Sequence, residues 1–262
     1  MTSYVTLGPL VLAGSGEYTP LMDIIDAYLL EACASKPVVL IATSCAQEGA
    51  DVMTRWEQMG VVHFARFGIE AQPLRIVDNV DADKPENAER IAEAGIVWFS
   101  GGSPPYLAQS FHNTRSFAAL EAANRGGTAV AGASGGLGVL NDHLAMAPQP
   151  PAPGTPAAAA SSYTGPNALG LGAAVRAMAH FDRAELRRPE MVTRTLEGLK
   201  PGQTAVGVDE DTALVWTGSE WRAMGHKRVV VFDTAGERTI FRNGDRVDIV
   251  PPPVRALPTD SK

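Results

Sequence analysis

The sequence predicts an α/β protein of three layers, in which helices cover both faces of a doubly wound, mostly parallel sheet. Short apolar runs bounded by turn residues alternate with helical patterns through the first half of the chain. This alternation is typical of parallel strands joined by crossover helices. Closely spaced runs in the second half predict an antiparallel extension of the sheet. With 262 residues, the chain is long enough for one large α/β domain.

The elements of the first half follow from their patterns. The strand candidates are PLVLAG at 9–14, PVVLIAT at 37–43, PLRIV at 73–77, GIVWFS at 95–100 and TAVAG at 128–132. The helix candidates lie near 20–34, 49–66, 85–94, 104–123 and 134–145. Ligands of doubly wound folds bind beyond the carboxyl ends of the strands. The loops after four strands should therefore meet at one edge: those after Ala13, Thr43, Ser100 and Gly132.

The chain changes character at 147–172, where Pro, Ala, Gly and Ser predominate without a helical or strand period. We expect a flexible insertion there, either disordered or serving as a lid over the site. Beyond it the strand candidates are VRAMAHF, TAVGV, TALVWT, EWRAMG and RVVVF. Residues 1–250 are expected to form a single domain, and 251–262 a disordered tail.

The composition is that of an ordinary soluble globular protein, because 45% of the residues are hydrophobic and 19% are charged. No apolar run reaches the roughly 18 residues that a membrane-spanning helix needs. The formal charge of -7, with scattered Lys and Arg, argues against nucleic-acid binding. The first residues lack the basic start and cleavage site of a secretory signal. We therefore expect a cytoplasmic protein without nucleic-acid or membrane partners.

The stretch AVAGASGGLGVL at 129–140 admits two interpretations. Its glycines fit a dinucleotide-binding loop, whereas Gly132, Ser134 and Gly136 also spell the G-x-S-x-G of a nucleophile elbow. A dinucleotide loop belongs after the first strand and needs an acidic residue about 20 positions on. This stretch follows the fifth strand candidate, and the proline-rich PAPGTP lies downstream. The elbow is therefore the favoured interpretation.

An elbow at Ser134 requires a strand, a sharp turn with small neighbours, and a helix. TAVAG supplies the strand, Gly132 and Gly136 are the small neighbours, and LGVLNDHLAM supplies the helix. The backbone N–H of Gly135 would be the first oxyanion donor, at the positive end of the helix. The alternative is that Ser134 only caps the helix, since serine is a preferred N-cap residue.

A serine nucleophile needs a base and an acid, and few residues after Ser134 fit. His180, in VRAMAHFDR, follows a strand candidate, where a loop could present it at the same edge. His143 lies in the elbow helix and is expected to point away, and His226 has no supporting pattern. Glu210, in VGVDEDTALV, occupies the turn after another strand. Three carboxylates compete with it for the histidine: Asp182, Asp209 and Asp211.

Five segments in a fixed order carry a resemblance to a known family. They are LAGSGEY near the start, FSGGSPPYL at 99–107, GASGGLGVL, AHFDR at 179–183 and VGVDEDTALV at 206–215. Together they resemble the peptidase E and cyanophycinase family, serine hydrolases of the class I glutamine amidotransferase-like fold. The resemblance implies that Ser134 attacks, that His180 accepts its proton, and that Glu210 orients the histidine. This chemistry requires no metal or organic cofactor.

The resemblance also implies the oxyanion hole and part of the substrate site. The family's twin-glycine turn resembles Gly101 and Gly102, so the Gly102 backbone would join Gly135 in the oxyanion hole. Gly101, Ser103 and Arg183 are expected beside the substrate, and Arg183 could hold a carboxylate. The chain departs from the family at the elbow, where S-G-G-L replaces S-A-G-A, and after the twin glycines, where S-P-P replaces polar residues. Substrate specificity therefore does not transfer.

The sequence thus predicts a serine hydrolase that cleaves an amide bond in a small peptide or peptide-like substrate. Two alternatives stay open. One is a binding or regulatory protein on the same fold that has lost turnover, for which the altered elbow is the motive. The other is an amidotransferase-like enzyme that acts on a non-peptide amide. Family precedent implies a homodimer.

Overall fold

The computed structural model describes residues 4–33, 36–141, 168–171, 175–233 and 235–256. The strands are β1 (Tyr4–Thr6), β2 (Leu10–Ala13), β3 (Val38–Ile41), β4 (Gln72–Pro73), β5 (Ile96–Phe99), β6 (Ala129–Ala133), β7 (Val175–Met178), β8 (Thr204–Val208), β9 (Thr212–Trp216), β10 (Trp221–Gly225), β11 (Val229–Phe232), β12 (Arg238–Phe241) and β13 (Val254–Ala256). The α-helices are α1 (Asp23–Ala32), α2 (Ala50–Ala65), α3 (Asn79–Ala82), α4 (Pro85–Glu93), α5 (Pro104–Phe111), α6 (Arg115–Arg125), α7 (Leu137–Leu140), α8 (Phe181–Arg187) and α9 (Pro189–Glu197). Short 3₁₀ helices lie at Pro20–Met22, Thr43–Glu48 and Ser134–Gly136.

A seven-stranded sheet forms the centre of the molecule, in the order β10-β9-β2-β6-β5-β3-β4. The five strands from β2 to β4 in this order run parallel. At the other edge β9 and β10 run antiparallel. The strands β2, β3, β5 and β6 are buried along their whole length, as expected of strands covered on both faces. The predicted doubly wound, mostly parallel sheet with an antiparallel extension is confirmed.

Alternate side chains of the sheet pack against helices on opposite faces, which produces the three layers. On one face, Trp98 belongs to a buried cluster with Ile25 of α1 and Phe64 of α2. On the other face, Phe99 belongs to a cluster with Leu107 of α5. Burying each large side chain contributes roughly 1.5–3 kcal/mol, so these two clusters hold the layers together. None of the helices in the described part of the chain is long and apolar enough to cross a membrane.

A second sheet, in the order β12-β11-β8-β7, lies beside the first. Of the strands after β6 in the described part of the chain, only β9 and β10 extend the main sheet. In the second sheet β7 and β8 run parallel. A parallel pair needs a long crossover connection, which the helices α8 and α9 provide. These helices were not predicted, although Pro189 at the first position of α9 is a typical helix start.

Two elements of the first half differ from their predicted bounds. The helix expected over 104–123 is two helices, since Asn113 has a left-handed backbone and the Thr114 hydroxyl accepts the N–H of Phe117 to cap α6. The strand expected over 73–77 is reduced to the two residues of β4. Pro73 has no N–H to continue the ladder, which confines this segment to a short edge strand.

Three predictions concern segments that are only partly described. The elbow helix α7 ends at Leu140, because the backbone of Asn141 is extended, so the helix expected over 134–145 is wrong at position 141. Positions 142–145 of that prediction lie outside the described residues. Of the insertion expected at 147–172, residues 168–171 are described, and the Leu169 N–H donates to the Gly138 carbonyl at 2.8 Å. Strand β13 pairs antiparallel with β1, although the sequence assigned 251–262 to a disordered tail. Backbone pairing between distant segments leaves no composition signal, which is why the sequence did not indicate this strand.

Candidate active site

The loops that follow the parallel strands meet at one edge of the main sheet, as the sequence predicted. The loop after β2 reaches the loop after β5, because the Gly101 N–H donates to Glu17 Oε1 at 2.8 Å. The loop after β3 reaches the same turn, because the Ser44 hydroxyl donates to the carbonyl of Ser100 at 2.5 Å. The loop after β6 contains Ser134, so all four loops contribute to one site.

Ser134 lies at a sharp turn between β6 and α7. Its backbone is left-handed, with a φ of 49°. A Cβ atom on Gly132 would lie 2.5 Å from the Gly136 carbonyl oxygen, and one on Gly136 would collide with the carbonyl oxygen of Phe99. Both small neighbours are therefore sterically required. A non-glycine residue in this conformation costs of order 1–3 kcal/mol, and such strain is typical of functional sites.

His180 follows β7 and precedes α8, and its backbone is also left-handed, with a φ of 49°. Its N–H donates to the Gly14 carbonyl at 3.2 Å, which ties it to the loop after β2. His180 Nε2 lies 2.8 Å from Ser134 Oγ, and His180 Nδ1 lies 2.8 Å from Glu210 Oε1. The structure thus brings together the three side chains that the sequence proposed as nucleophile, base and acid.

Glu210 lies in the turn between β8 and β9, and its neighbours fix its direction. Its second oxygen, Oε2, lies 2.8 Å from a guanidinium nitrogen of Arg183. Its N–H donates to Asp182 Oδ1 at 3.2 Å. Because both carboxylate oxygens have partners, the side chain is held with Oε1 on the histidine.

The three competing carboxylates face other partners. Asp209 accepts hydrogen bonds from Arg228, the shortest at 2.7 Å. Asp182 and Asp211 lie 2.7 and 3.5 Å from the ammonium of Lys227. Burial alone would raise the pKa of Asp182, but the hydrogen bond from Lys227 and other donors lower it below the ordinary value. These acids form a charged shell around the turn and none of them is bonded to the imidazole.

The twin-glycine turn packs against the elbow. A Cβ atom on Gly135 would collide with the Gly102 backbone, and one on Gly101 would lie 3.5 Å from Ser134 Oγ. Gly102 itself has a φ of 141°, which favours glycine. The extra glycine of the elbow, Gly135, is therefore matched to the close approach of this turn.

Ser103 and Arg183, both predicted beside the substrate, occupy different positions. The Ser103 hydroxyl accepts the N–H of Tyr106 at 3.4 Å as the N-cap of α5, and Ser103 is not part of the cavity wall. Arg183 lines the cavity, although its guanidinium also contacts Glu210. The structure therefore places Arg183 in the cavity wall and Ser103 at the start of α5, and their roles beside a substrate stay predictions.

A cavity of about 430 Å³ opens beside the hydroxyl of Ser134. Gly102, Gly135, Leu137 and His180 line it near the serine. Both elbow residues that depart from the family pattern, Gly135 and Leu137, form part of the cavity wall, and Leu137 also belongs to the main core. The wall also includes arginines from β7, α8 and the residue that follows α8: Arg176, Arg183, Arg187 and Arg188.

The sequence did not identify Glu17 as part of this site. Glu17 follows β2, only 3% of it is exposed, and Oε1 accepts the Gly101 N–H. Burial raises the pKa of its carboxyl above the ordinary value, while backbone N–H groups and His180 oppose the shift. The available signal was an acidic residue in a glycine-containing loop directly after the first strand of the main sheet, at the edge where ligands bind.

Comparisons with known proteins identify the family of the chain and support its fold. A peptidase from an acI-B1 actinobacterium has a similar solved structure, with 27% identity and a TM-score of 0.77 over 92% of this chain and 97% of that chain. A protein of Listeria monocytogenes EGD-e assigned to peptidase E is 17% identical, with a TM-score of 0.61 over 84% of this chain and 100% of that chain, which shows the fold alone. No curated protein matches the sequence. Residues 10–224 match the model of peptidase family S51, so the predicted peptidase E relationship is confirmed and the chain belongs to this family.

Proposed function

We propose that this peptidase is a serine hydrolase that cleaves an amide bond in a small peptide through Ser134, His180 and Glu210. Membership in peptidase family S51 supports peptidase activity. The observation that carries the finer proposal is the chain of two 2.8 Å contacts from Ser134 through His180 to Glu210. Ser134 and His180 line the cavity, and Ser134 lies on a strained turn that exposes its hydroxyl, as a nucleophile requires.

In the first step, His180 Nε2 accepts the Ser134 proton while Oγ attacks the carbonyl carbon of the scissile amide. Glu210 holds Nδ1–H, which fixes the tautomer and stabilises the imidazolium that forms. The imidazolium then donates its proton to the leaving amine, and an acyl-enzyme remains on Ser134. Water attacks this ester with the same histidine as base, which releases the acid and restores the serine. Assistance of this kind contributes about 10² to 10⁴ in rate.

The tetrahedral intermediates carry a negative oxygen that needs donors. The backbone N–H groups of Gly102 and Gly135 are the proposed oxyanion donors, because these two residues lie against each other beside Ser134. Each such donor is worth about 3 kcal/mol in the transition state. Glycine at both positions lets the two backbones approach closely enough to share one oxygen.

The arginines in the cavity wall support a substrate that carries a carboxylate. Arg187 and Arg188 are exposed side chains at the α8–α9 corner, and both line the cavity. Guanidinium groups bind carboxylates through paired hydrogen bonds, and every small peptide with a free C-terminus offers one. A cavity of about 430 Å³ is in the range that suits a small ligand.

The test is hydrolysis of a dipeptide panel, in which each peptide is supplied with a free and an amidated C-terminus. We expect cleavage by the wild-type protein, faster for peptides that carry carboxylates, and none by Ser134→Ala. Ser219→Ala, which removes an exposed turn serine, is the matched control and should retain activity. Binding of peptides without cleavage by the wild-type protein would instead favour a binding protein on the same fold.

A further inference from the structure

We propose that Glu17 is a positioning residue for the oxyanion turn. Its carboxylate would hold the Gly101 amide so that the next peptide unit directs the Gly102 N–H toward the oxygen that forms on the substrate. The inference rests on the proposed function, because it needs Ser134 to be the nucleophile. It adds to the site a buried carboxylate that does not line the cavity.

The contacts around Gly101 define this role. Glu17 Oε1 accepts the Gly101 N–H at 2.8 Å. A Cβ atom on Gly101 would lie 3.0 Å from Glu17 Oε1 and 3.5 Å from Ser134 Oγ. The acid and the nucleophile therefore both lie against the same glycine. Glu17 thereby fixes the Ser100–Gly101 peptide, so a displacement of its carboxylate would shift the adjoining Gly101–Gly102 peptide, which carries the proposed donor.

A second contact joins the same two loops. The Tyr18 hydroxyl lies 3.1 Å from the Ser100 hydroxyl, so consecutive residues after β2 bond to consecutive residues after β5. Tyr18 is buried, and its ring packs edge-on against Trp98 at 5.9 Å. This anchor in the core makes the loop after β2 a rigid support for the turn.

Backbone strain in the described residues is concentrated around the same acids. Five non-glycine residues there have positive φ: Tyr18, Asn113, Ser134, His180 and Asp211. Two are proposed catalytic residues, Asp211 follows Glu210, and Tyr18 follows Glu17. Asn113 alone lies in a connection between helices. Strained backbone persists where the surrounding structure over-determines it, and it is typical of functional sites.

Burying the Glu17 carboxylate destabilises the folded protein, so a residue needed only for stability would not have to be an acid. Only 3% of Glu17 is exposed, and desolvation raises the pKa of its carboxyl. A buried acid that lacks a full set of partners destabilises the folded state. A glutamine would accept the same N–H without that cost. Glutamine at this position should therefore preserve the turn and leave thermal stability unchanged or increased.

The experiment measures the second-order rate constant for labelling by a fluorophosphonate probe. As the serine attacks phosphorus and displaces fluoride, negative charge develops on the phosphoryl oxygen, where the substrate oxyanion would form. Glu17→Ala should label about 10²-fold more slowly than wild type, as expected for a misaligned oxyanion donor. Glu17→Gln, which keeps the length and the acceptor, should stay within about 10-fold. Glu17→Asp, which keeps the charge but is too short to reach Gly101, should be slower than Glu17→Gln. Glu57→Ala, the loss of a buried glutamate bonded to Arg75, is the matched control and should label at the wild-type rate.

The outcomes separate the two proposals. If wild type is labelled and both Glu17→Ala and Glu17→Asp label at its rate, the positioning role is wrong and the serine mechanism stands. Faster labelling of Glu17→Asp than of Glu17→Gln would show that charge, not position, matters, and would also overturn the inference. Failure of the wild-type protein to label would overturn both. Glu17→Asp and Glu17→Gln decide the question even if Glu17→Ala does not fold.

Discussion

Two histidine–acid pairs in this molecule have the same nitrogen–oxygen distance and different surroundings. His180 Nδ1 lies 2.8 Å from Glu210, and His63 Nε2 lies 2.8 Å from Asp26. His63 is 2% exposed, and Asp26 also accepts the Trp98 indole N–H at 2.9 Å. The His63 pair is therefore enclosed in the core between α1, α2 and the sheet.

The His180 pair is open on one side. The His180 side chain is 40% exposed, lines the cavity and directs its second nitrogen at Ser134. The second nitrogen of His63 instead faces Arg66 at 3.4 Å, with the rings of nearby aromatic residues around it. Under the proposed function, a histidine–acid pair acts as a base where its free nitrogen meets a nucleophile in accessible space. The His63–Asp26 pair, which is enclosed in the core, instead contributes to packing and provides hydrogen-bond partners for buried polar groups.

Replacing each histidine should separate catalysis from stability most sharply. We expect His180→Ala to reduce fluorophosphonate labelling by about 10⁴-fold or more, because the base is lost. His63→Ala should label at the wild-type rate but unfold at a lower temperature, because a buried side chain and its hydrogen bond are removed. Labelling kinetics and thermal unfolding of both variants test this. A large loss of labelling in His63→Ala with an intact fold would contradict the division of roles.

Replacing the acid of each pair should show the same division, with the larger loss of stability at the core pair and the loss of activity at the open pair. Asp26→Ala leaves the Trp98 N–H and the His63 ring buried without their acceptor, so the free energy of unfolding should fall by about 3 kcal/mol. Glu210→Ala lies at the open pair and should lower the unfolding free energy by less while reducing activity. Urea denaturation measures both. Equal stability of Asp26→Ala and wild type would show that the core pair is not a structural element.

An alanine at position 135 tests how closely the elbow fits its turn. The family usually has alanine there, but in this chain a Cβ on Gly135 would collide with the Gly102 backbone. We expect Gly135→Ala to displace the turn and slow labelling by about 10²-fold, as for loss of one oxyanion donor. Unchanged labelling kinetics would mean that the turn yields easily and that this departure from the family has no consequence.

The pH dependence of stability tests the burial of Glu17. Because burial raises its pKa above the unfolded value, the folded protein retains a proton that the unfolded chain releases. The unfolding free energy of wild type relative to Glu17→Gln should therefore fall as pH rises from the ordinary carboxyl range through the raised pKa, and then level off. The slope approaches about 1.4 kcal/mol per pH unit within that window. The test is denaturation of both proteins from pH 4 to 8, roughly the range where carboxyl groups titrate. A difference in unfolding free energy between the two proteins that stayed constant or rose with pH would contradict this account.

Most of the main sheet could be predicted because its strands carry their own signals. Buried parallel strands read as continuous apolar runs, so β2, β3, β5 and β6 were recognised with nearly their observed bounds. The partners of the late strands could not be predicted in the same way. A strand pattern does not specify its neighbour, and the division between the two sheets depends on long-range contacts.

The residues of the candidate site likewise fall into those with a sequence signal and those defined by long-range contacts. Ser134 was predicted from a local motif, and the family resemblance indicated His180 and Glu210; their catalytic roles stay predictions, although the three side chains lie together. Glu17 was missed because its partner is a backbone N–H 84 positions away, which no side-chain motif records. Ser103 was placed beside the substrate because it follows the twin glycines, but its hydroxyl caps α5.

The identity of the labelled residue tests the central claim most directly. Wild-type protein is treated with the fluorophosphonate probe, digested, and analysed by tandem mass spectrometry, with His180→Ala treated in parallel. We predict a single adduct on Ser134 in the wild-type protein and almost none in His180→Ala. An adduct on another residue, or no adduct where a reference serine hydrolase is fully labelled, would contradict the assignment of Ser134 as the nucleophile.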